Sequence, residues 1–158
     1  MIYNSDTAPG NGTISLPGEI ATRSIPSTQQ SQHKPEEEPT IRILVVEDDP
    51  TLARLEAGIL TTRGYTVATV HSGELAIATL RHSIPDLVVL DLELTGNVQG
   101  WDVLQALRDF ASIPVLLTTS STTAVRASIR LRGENRSTLD HLPKPYPMQT
   151  RLKRVERM

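Results

Sequence analysis

From residue 41 to the end of the chain, short runs of apolar residues alternate with longer amphipathic segments. The run Ile43-Leu44-Val45-Val46 is too short for a stable helix and rich in β-branched residues, so it predicts a strand buried on both faces. Comparable runs predict further strands at 65–70, 87–90, 115–117 and 139–142. The intervening segments predict five helices: one over 50–62, one capped by Ser72, one over 101–107, one near 122–132 and one from Met148 onward.

The first helix has the clearest boundary signals. Asp49 can cap its N-terminus, Pro50 suits its first turn, and Gly64 supplies a stop. Three residues follow at the spacing of an amphipathic helix and predict its apolar face: Leu52, Leu55 and Ile59.

The alternation of strands and helices predicts an α/β fold. Strict βα alternation requires parallel strands joined by right-handed crossovers, with helices on both faces of the sheet. The expected fold is therefore a doubly wound, five-stranded parallel sheet. Ligands of such sheets bind beyond the carboxyl ends of the strands, so the residues directly after each apolar run are the candidate functional residues.

Residues 1–40 differ from the rest of the chain. They hold five of the eleven prolines, show no apolar periodicity and finish in the acidic run Glu36-Glu37-Glu38. Such a composition cannot bury enough apolar surface to offset chain entropy, which predicts a disordered tail over 1–40 and one folded domain over 41–158.

Composition narrows the class of protein further. The chain has no cysteine, which excludes a disulfide framework and a cysteine-based zinc site. No apolar run approaches the ~18 to 20 residues that cross a bilayer, and nothing near Met1 combines a basic segment with an apolar one as a signal peptide does. We therefore expect a soluble cytoplasmic protein without direct membrane contact.

Charge is segregated along the chain. Residues 41–125 hold five basic and ten acidic side chains, whereas residues 126–158 hold nine basic and three acidic ones. The last predicted helix contributes Arg151, Lys153, Arg154 and Arg157. These side chains could meet nucleic acid or an acidic protein surface, or they could simply form solvated helix faces.

Carboxylates follow two of the predicted strands. Glu47, Asp48 and Asp49 come after the first strand, and Asp91 closes the third. Like charges that converge on a partly buried site raise one another's pKa or bind a divalent cation. Oxygen ligands without nearby histidine or cysteine suit Mg²⁺ best. Asp49 also suits the cap of the first helix, which makes it a weaker candidate ligand.

Hydroxyl and amine groups follow the fourth and fifth strands. The fourth strand ends in Thr118-Thr119-Ser120-Ser121, and the fifth ends before Lys144. A carboxylate nucleophile, a metal, a lysine and a hydroxyl are the groups that phosphoryl transfer to an aspartate needs. Each hydroxyl of 118–121 could serve if the strand ended one residue off, and Thr119 is the favoured one.

Four segments resemble, in order and spacing, the motifs of the receiver domain of two-component response regulators. They are Arg42 to Asp49, Pro85 to Asp91, Ile113 to Thr119 and Lys144-Pro145-Tyr146. The resemblance covers about 41–158 and implies a flavodoxin-like sheet with strand order 2-1-3-4-5. Each motif is weak alone, but their placement at the ends of strands one, three, four and five is specific.

The resemblance also implies roles for single residues. Asp91 would accept the phosphoryl group and Lys144 would pair with it. Mg²⁺ would be held by Glu47, Asp48, Asp91 and the backbone carbonyl of Glu93. The remaining roles are a moving hydroxyl, an aromatic-type switch and two positions that tune hydrolysis of the phosphate, assigned respectively to Thr119, to His141, and to Glu93 with Ser121.

His141 is an open assignment, because a neutral buried histidine or an exposed one on an edge strand fits the sequence equally well. Two segments also depart from the family pattern. The loop 92–100 lacks the usual proline and is one residue longer, and the segment 130–138 is about three residues longer. These departures make the fourth helix and the surface beside it atypical.

The implied function is that of a switch with only slow self-phosphorylation and self-dephosphorylation. A sensor histidine kinase or a histidine phosphotransfer protein would supply the phosphoryl group. A downstream protein, or a second copy in a homodimer, would bind helix four, strand five and helix five, with no direct nucleic-acid contact. The alternatives are the receiver of a DNA-binding regulator that lacks its effector domain, and a phosphohydrolase, which usually needs a second aspartate where this chain has Glu93.

Overall fold

The computed structural model describes residues 38–158, so the tail predicted over 1–40 lies outside the described residues except for its last three positions. Within the described part, no helix is both long and apolar enough to span a membrane. The domain contains five strands and five helices: β1 (Arg42–Val46), α1 (Pro50–Thr61), β2 (Thr66–Val70), α2 (Gly73–His82), β3 (Leu87–Asp91), α3 (Gly100–Arg108), β4 (Val115–Thr119), α4 (Thr122–Leu131), β5 (Leu139–Pro143) and α5 (Met148–Arg157).

The five strands form one parallel sheet in the order β2-β1-β3-β4-β5, as expected. In the register of this sheet, Val46 lies opposite Leu90 and Asp91 lies opposite Thr118. The carboxyl ends of β1, β3 and β4 are therefore level. Side chains that follow these strands are carried to the same edge of the sheet.

Alternate residues of the central strands enter two separate cores. On one face, Leu44 and Val88 belong to the apolar cluster that also includes residues of α2, α3 and α4. On the other face, Ile43 and Val89 pack with residues of α1 and α5. Burial on both faces explains the unbroken apolar runs in the sequence, and each fully buried Leu or Ile stabilises the fold by about 1.5–3 kcal/mol.

The predicted caps of two helices are confirmed. The carboxylate of Asp49 accepts hydrogen bonds from the backbone N–H groups of Thr51 and Leu52, and the hydroxyl of Ser72 accepts one from Leu75 N–H. Each cap satisfies N–H groups that have no partner within the helix.

The predicted apolar face of α1 is displaced by one residue from the buried face, although Ile59 is half-buried and packs against the core. The buried positions are Ala53, Glu56 and Leu60, whereas Leu55 is 53% exposed. A shift of one residue rotates a helix face by about 100°. Apolar periodicity does not indicate the correct face, because the charged residue Glu56 lies at its centre.

The loop after Asp91 is closely packed against the domain. Leu92 and Leu94 are buried and join the core on the α2 and α3 side. Gly100, the first residue of α3, approaches the backbone so closely that a Cβ atom there would lie 2.5 Å from the carbonyl oxygen of Asp91. Only glycine fits this position without moving the backbone of Asp91.

Candidate functional site

Three carboxylates converge at the carboxyl edge of the sheet. Glu47 and Asp48 directly follow β1, and Asp91 is the last residue of β3. One oxygen atom from each of these residues lies within 4.8 Å of the other two. Glu47 and Asp91 are buried and Asp48 is half-buried. The central positions of β1 and β3 thus produce the cluster that the sequence predicts.

Lys144, the residue after β5, completes the site. Its Nζ atom lies 2.8 Å from Oδ2 of Asp91 and 3.9 Å from Oε2 of Glu47. Its backbone N–H donates a 2.7 Å hydrogen bond to the carbonyl oxygen of Thr119 at the end of β4. We call the group of Glu47, Asp48, Asp91 and Lys144 the acidic pocket.

The acidic pocket has more negative than positive charge. Burial raises the pKa of Glu47, and the charge of Asp91 adds to this effect against the opposing influence of Asp49 N–H and Lys144. Burial alone would lower the pKa of Lys144, but its hydrogen bond to Asp91 and the surrounding carboxylates raise it overall. The ammonium group therefore stays charged at neutral pH, and one cation faces three carboxylates.

Asp48 is held by the loop that follows Asp91. Its Oδ2 accepts a 3.0 Å hydrogen bond from the backbone N–H of Thr95. Burial tends to raise the pKa of Asp48, but the hydrogen bonds from Thr95 outweigh it and the pKa lies below its ordinary value. Asp48 thus remains an anion and a good ligand for a hard cation.

One oxygen of the pocket has no hydrogen-bond partner. Oε2 of Glu47 is fully buried, and no donor among residues 38–158 bonds to it. An unsatisfied buried carboxylate oxygen is costly, and a divalent cation that binds oxygen would remove the cost. This atom and the three convergent carboxylates fit a Mg²⁺ site.

Asp91 has a different partner on each oxygen. Oδ2 accepts the hydrogen bond from Lys144, and Oδ1 accepts a 2.9 Å hydrogen bond from the backbone N–H of Glu93. The side chain is only 2% exposed. Both oxygens are therefore held in fixed positions at the strand end.

The hydroxyl of Thr119 contacts the side chain of Glu93. It donates a 2.9 Å hydrogen bond to Oε1 of Glu93, which also accepts bonds from the backbone N–H and the hydroxyl of Ser120. Burial tends to raise the pKa of Glu93, but the bonds from Ser120 and Thr119 lower it overall. The two roles expected of Glu93 from the sequence do not include this contact, which we call the Glu93 clasp.

The neighbouring hydroxyl groups take other positions. Thr118, opposite Asp91 in the sheet register, is fully buried, and Ser121 is exposed at the N-cap position of α4. The backbone N–H of Ser121 donates a 3.0 Å hydrogen bond to Oγ1 of Thr119. Thr119 and Ser120 are thus the residues of this segment whose hydroxyls link the end of β4 to the loop after β3.

His141 does not lie at the acidic pocket. It is opposite Leu117 on β5, two positions before the residue that pairs with Thr119. It lines a groove between α4 and β5 with Arg126 and Arg136. Burial and these arginines lower its pKa, against the opposing charge of Asp140, which favours the neutral ring. Its role as a switch stays a prediction.

One residue of the basic C-terminal segment lies in the interior. Arg151, which the sequence placed with the basic residues of the last helix, is 3% exposed and pairs with Glu56 of α1. Local periodicity gives no direct sign of this pair, because its partners are far apart in the chain. The available signal was the position of Glu56 between Ala53 and Leu60 on the buried face of α1.

The chain belongs to the response regulator receiver domain family. The family's model matches residues 43–156. The DNA-binding response regulator MtrA of Mycolicibacterium smegmatis is 35% identical over 114 residues, which are 72% of this chain and 48% of that protein. The transcriptional regulatory protein BaeR of Escherichia coli is 32% identical over 122 residues, or 77% and 49%. The chain therefore spans about half the length of these curated relatives.

Solved structures show the same fold. A putative response regulator from Chloroflexus aurantiacus is similar with a TM-score of 0.65 and 27% identity, over 75% of this chain and 97% of that one. The chemotaxis protein CheY4 of Vibrio cholerae also has a TM-score of 0.65, over 75% and 98%, and its 24% identity supports the fold alone. The flavodoxin-like architecture expected from the resemblance is thereby confirmed.

Proposed function

We propose that this receiver domain accepts a phosphoryl group on Asp91 from a phosphohistidine of a sensor kinase or a histidine phosphotransfer protein. The observation that carries the proposal is the 2.8 Å contact between Lys144 Nζ and Asp91 Oδ2 inside a cluster of three carboxylates. A buried carboxylate with a cation beside it is suited to attack phosphorus while the cation pairs with the phosphoryl oxygens.

Mg²⁺ would be held by Glu47, Asp48, Asp91 and the backbone carbonyl of Glu93. The unsatisfied Oε2 of Glu47 and the lowered pKa of Asp48 support this assignment. When bound, the ion would neutralise negative charge on the pocket and on the incoming phosphoryl oxygens.

The chemical step needs few changes in the protein. A carboxylate oxygen of Asp91 forms a bond to phosphorus, while the bond between phosphorus and the imidazole nitrogen of the donor breaks and its electron pair stays on that nitrogen. Lys144 pairs with a phosphoryl oxygen throughout. Thr119 then leaves the Glu93 clasp and donates its hydrogen bond to the phosphoryl group.

The phosphoryl group on Asp91 would later be removed by hydrolysis with water. Glu93 and Ser121 flank the hydroxyl of Thr119, which supports their proposed role in admitting or excluding that water. We expect the domain to catalyse only its own slow phosphorylation and dephosphorylation. Multiple turnover of a generic phosphomonoester would favour the phosphohydrolase alternative instead.

The partner surface is proposed to be the face of α4, β5 and α5. Arg126, Arg130 and Arg136 line the groove between α4 and β5. The two carboxylates of this groove are engaged inside the domain, Glu134 with Arg108 and Asp140 with Arg154. The remaining positive charge favours an acidic partner over a second copy of the chain, since a homodimer through this face would bring arginines together. Sedimentation of the phosphorylated chain as a dimer would reverse that preference.

A second candidate is the receiver half of a DNA-binding regulator. The observation that favours it is that relatives named as DNA-binding response regulators are about twice as long as the matched region. Under this alternative, phosphorylation of Asp91 would act on an effector domain encoded with the receiver. Sequencing the transcript through the codon of Met158 distinguishes the two candidates.

Labelling with acetyl phosphate tests the proposed function. We expect stoichiometric, Mg²⁺-dependent labelling in an intact-mass measurement, and its loss in Asp91→Asn. Asp109→Asn is the matched control, because Asp109 is an exposed carboxylate at the end of α3. Full labelling of Asp91→Asn would refute the proposal.

A further inference from the structure

A closed polar cluster lies between α1 and α5. The guanidinium group of Arg151 pairs with the carboxylate of Glu56, and both side chains are almost completely buried. We call these two residues the α1–α5 pair. The hydroxyl of Tyr146 joins them, since it accepts a 3.0 Å hydrogen bond from Nη1 of Arg151 and donates a 3.3 Å bond to Oε1 of Glu56.

Burial of the α1–α5 pair in the core has a high free-energy cost of desolvation. Removal of two charges from water costs more than their attraction commonly returns, and an apolar pair of similar volume is often equally stable or more stable. Two atoms of the pair, Oε2 of Glu56 and Nε of Arg151, also have no hydrogen-bond partner among the described residues. Stability alone is therefore a poor reason for this arrangement.

Burial also changes the pKa of Arg151. Burial lowers the pKa of this guanidinium group to about 9, against the opposing charge of Glu47. The group stays charged at neutral pH and can hold both the carboxylate of Glu56 and the hydroxyl of Tyr146. The Cζ atom of this group also lies over the Tyr146 ring, 5.5 Å from the ring centroid.

The cluster connects to the acidic pocket through a short loop. Tyr146 follows Lys144 by two residues, and the backbone N–H of Lys144 is bonded to Thr119. The Lys144 segment is thus fixed on one side by β4 and on the other by the Tyr146 side chain. Glu56 fixes the same cluster to α1, the helix that begins two residues after Asp48.

We propose that Glu56 and Arg151 act through the hydroxyl of Tyr146 as positioning residues that hold Lys144 against Asp91 for phosphoryl transfer. The inference rests on the proposed function. Neither residue touches the reacting atoms, so their effect is on where the Lys144 ammonium lies. Small displacements of a charge-stabilising group cost large factors in rate, because that stabilisation depends on fixed geometry.

The central test is the double variant Glu56→Leu/Arg151→Leu, which removes both charges and keeps an apolar core. We expect it to melt at or above the temperature of the parent chain, yet to be labelled by acetyl phosphate about tenfold more slowly. The matched control is Arg63→Met/Glu156→Gln, which removes an exposed ion pair between the end of α1 and α5. This control is expected to be labelled at the parent rate.

Tyr146→Phe is the second variant and removes only the bridging hydroxyl. We expect a slowing of about threefold with nearly unchanged melting. It also serves as the test if the double variant does not fold.

A double-mutant cycle with Lys144→Ala separates positioning from a structural effect. If the α1–α5 pair acts through Lys144, its replacement has no further effect on the labelling rate once Lys144 is absent. Multiplication of the two effects, or normal labelling of a folded double variant and of Tyr146→Phe, would overturn the inference alone. Failure of the parent chain to be labelled would instead refute the proposed function, and the inference with it.

Discussion

The receiver domain buries charge in two places that differ in balance and access. The acidic pocket sets three carboxylates against the single ammonium of Lys144, whose side chain is 26% exposed. The α1–α5 pair sets one carboxylate against one guanidinium group, and both are closed to solvent. The acidic pocket has an excess of negative charge, which the binding of a cation or a phosphoryl group would change. The charges of the α1–α5 pair balance each other.

Burial alone therefore does not mark reactive residues in this domain. A buried charge becomes a reactive site where its neighbours leave it uncompensated and where a ligand can enter. A balanced and closed pair can only hold structure in place.

Breaking the α1–α5 pair on one side has the largest expected effect. Arg151→Leu leaves the Glu56 carboxylate buried without its partner, and we expect the free energy of unfolding to fall by about 3–5 kcal/mol. Urea denaturation measures it, with Arg63→Met as the exposed control. A loss below about 1 kcal/mol would show that Glu56 is not a buried charge.

Removing the cation of the acidic pocket affects chemistry more than stability. With Mg²⁺ present, Lys144→Met is expected to slow labelling by acetyl phosphate about a hundredfold, because the phosphoryl oxygens lose a fixed positive charge. Lys153→Met, on the exposed side of α5, is the control. Equal rates for the two variants would remove Lys144 from the mechanism.

The charge excess of the pocket should appear as a pH dependence of stability. The folded pKa of Glu47 is raised above its ordinary value of 4.5, so its contribution is fully present below that pH and is lost as pH rises through the folded pKa. Without divalent cations, Glu47→Gln is expected to be about 1 kcal/mol more stable than the parent at neutral pH.

Thermal melts at low pH and with added Mg²⁺ test the same comparison of Glu47→Gln with the parent. The advantage of Glu47→Gln is expected to disappear below pH 4.5, where the parent side chain is also neutral. Added Mg²⁺ is expected to stabilise the parent more than the variant, because binding to the folded state raises its stability by mass action. A variant less stable than the parent in the absence of cations would contradict the excess of negative charge.

The Glu93 clasp gives the smallest expected effect. Glu93→Ala frees the hydroxyl of Thr119 and removes an anion beside the site of attack, so we expect labelling to become about threefold faster. Labelling rates from quenched reactions measure the change. Glu74→Ala is the control, because Glu74 is exposed on α2. A slower reaction of Glu93→Ala would mean that the clasp assists phosphoryl transfer.

Much of the fold could be predicted because the three central strands, β1, β3 and β4, are buried on both faces. Runs such as Leu87 to Leu90 have no polar interruption, and the acidic residues that follow them mark where the strands end. The convergence of Glu47, Asp48, Asp91 and Lys144 follows from parallel strands of matched length.

The remaining features depend on contacts between distant segments. Glu56 and Arg151 compensate each other across two helices, and apolar periodicity scores each of them as a surface residue. The Glu93 clasp depends on the path of the loop after β3, which turns the Glu93 side chain toward Thr119 and Ser120. The Glu93 clasp leaves no pattern within one element, and the α1–α5 pair leaves only the position of Glu56 on the buried face of α1.

Identification of the phosphorylated residue is the most direct test of whether Asp91 accepts the phosphoryl group. Reduction of the labelled protein with borohydride converts an acyl phosphate of aspartate to homoserine, and peptide sequencing then locates the converted residue. We expect conversion at Asp91 alone, in the presence of Mg²⁺. Conversion at Asp48 or at another carboxylate, with Asp91 intact, would contradict it.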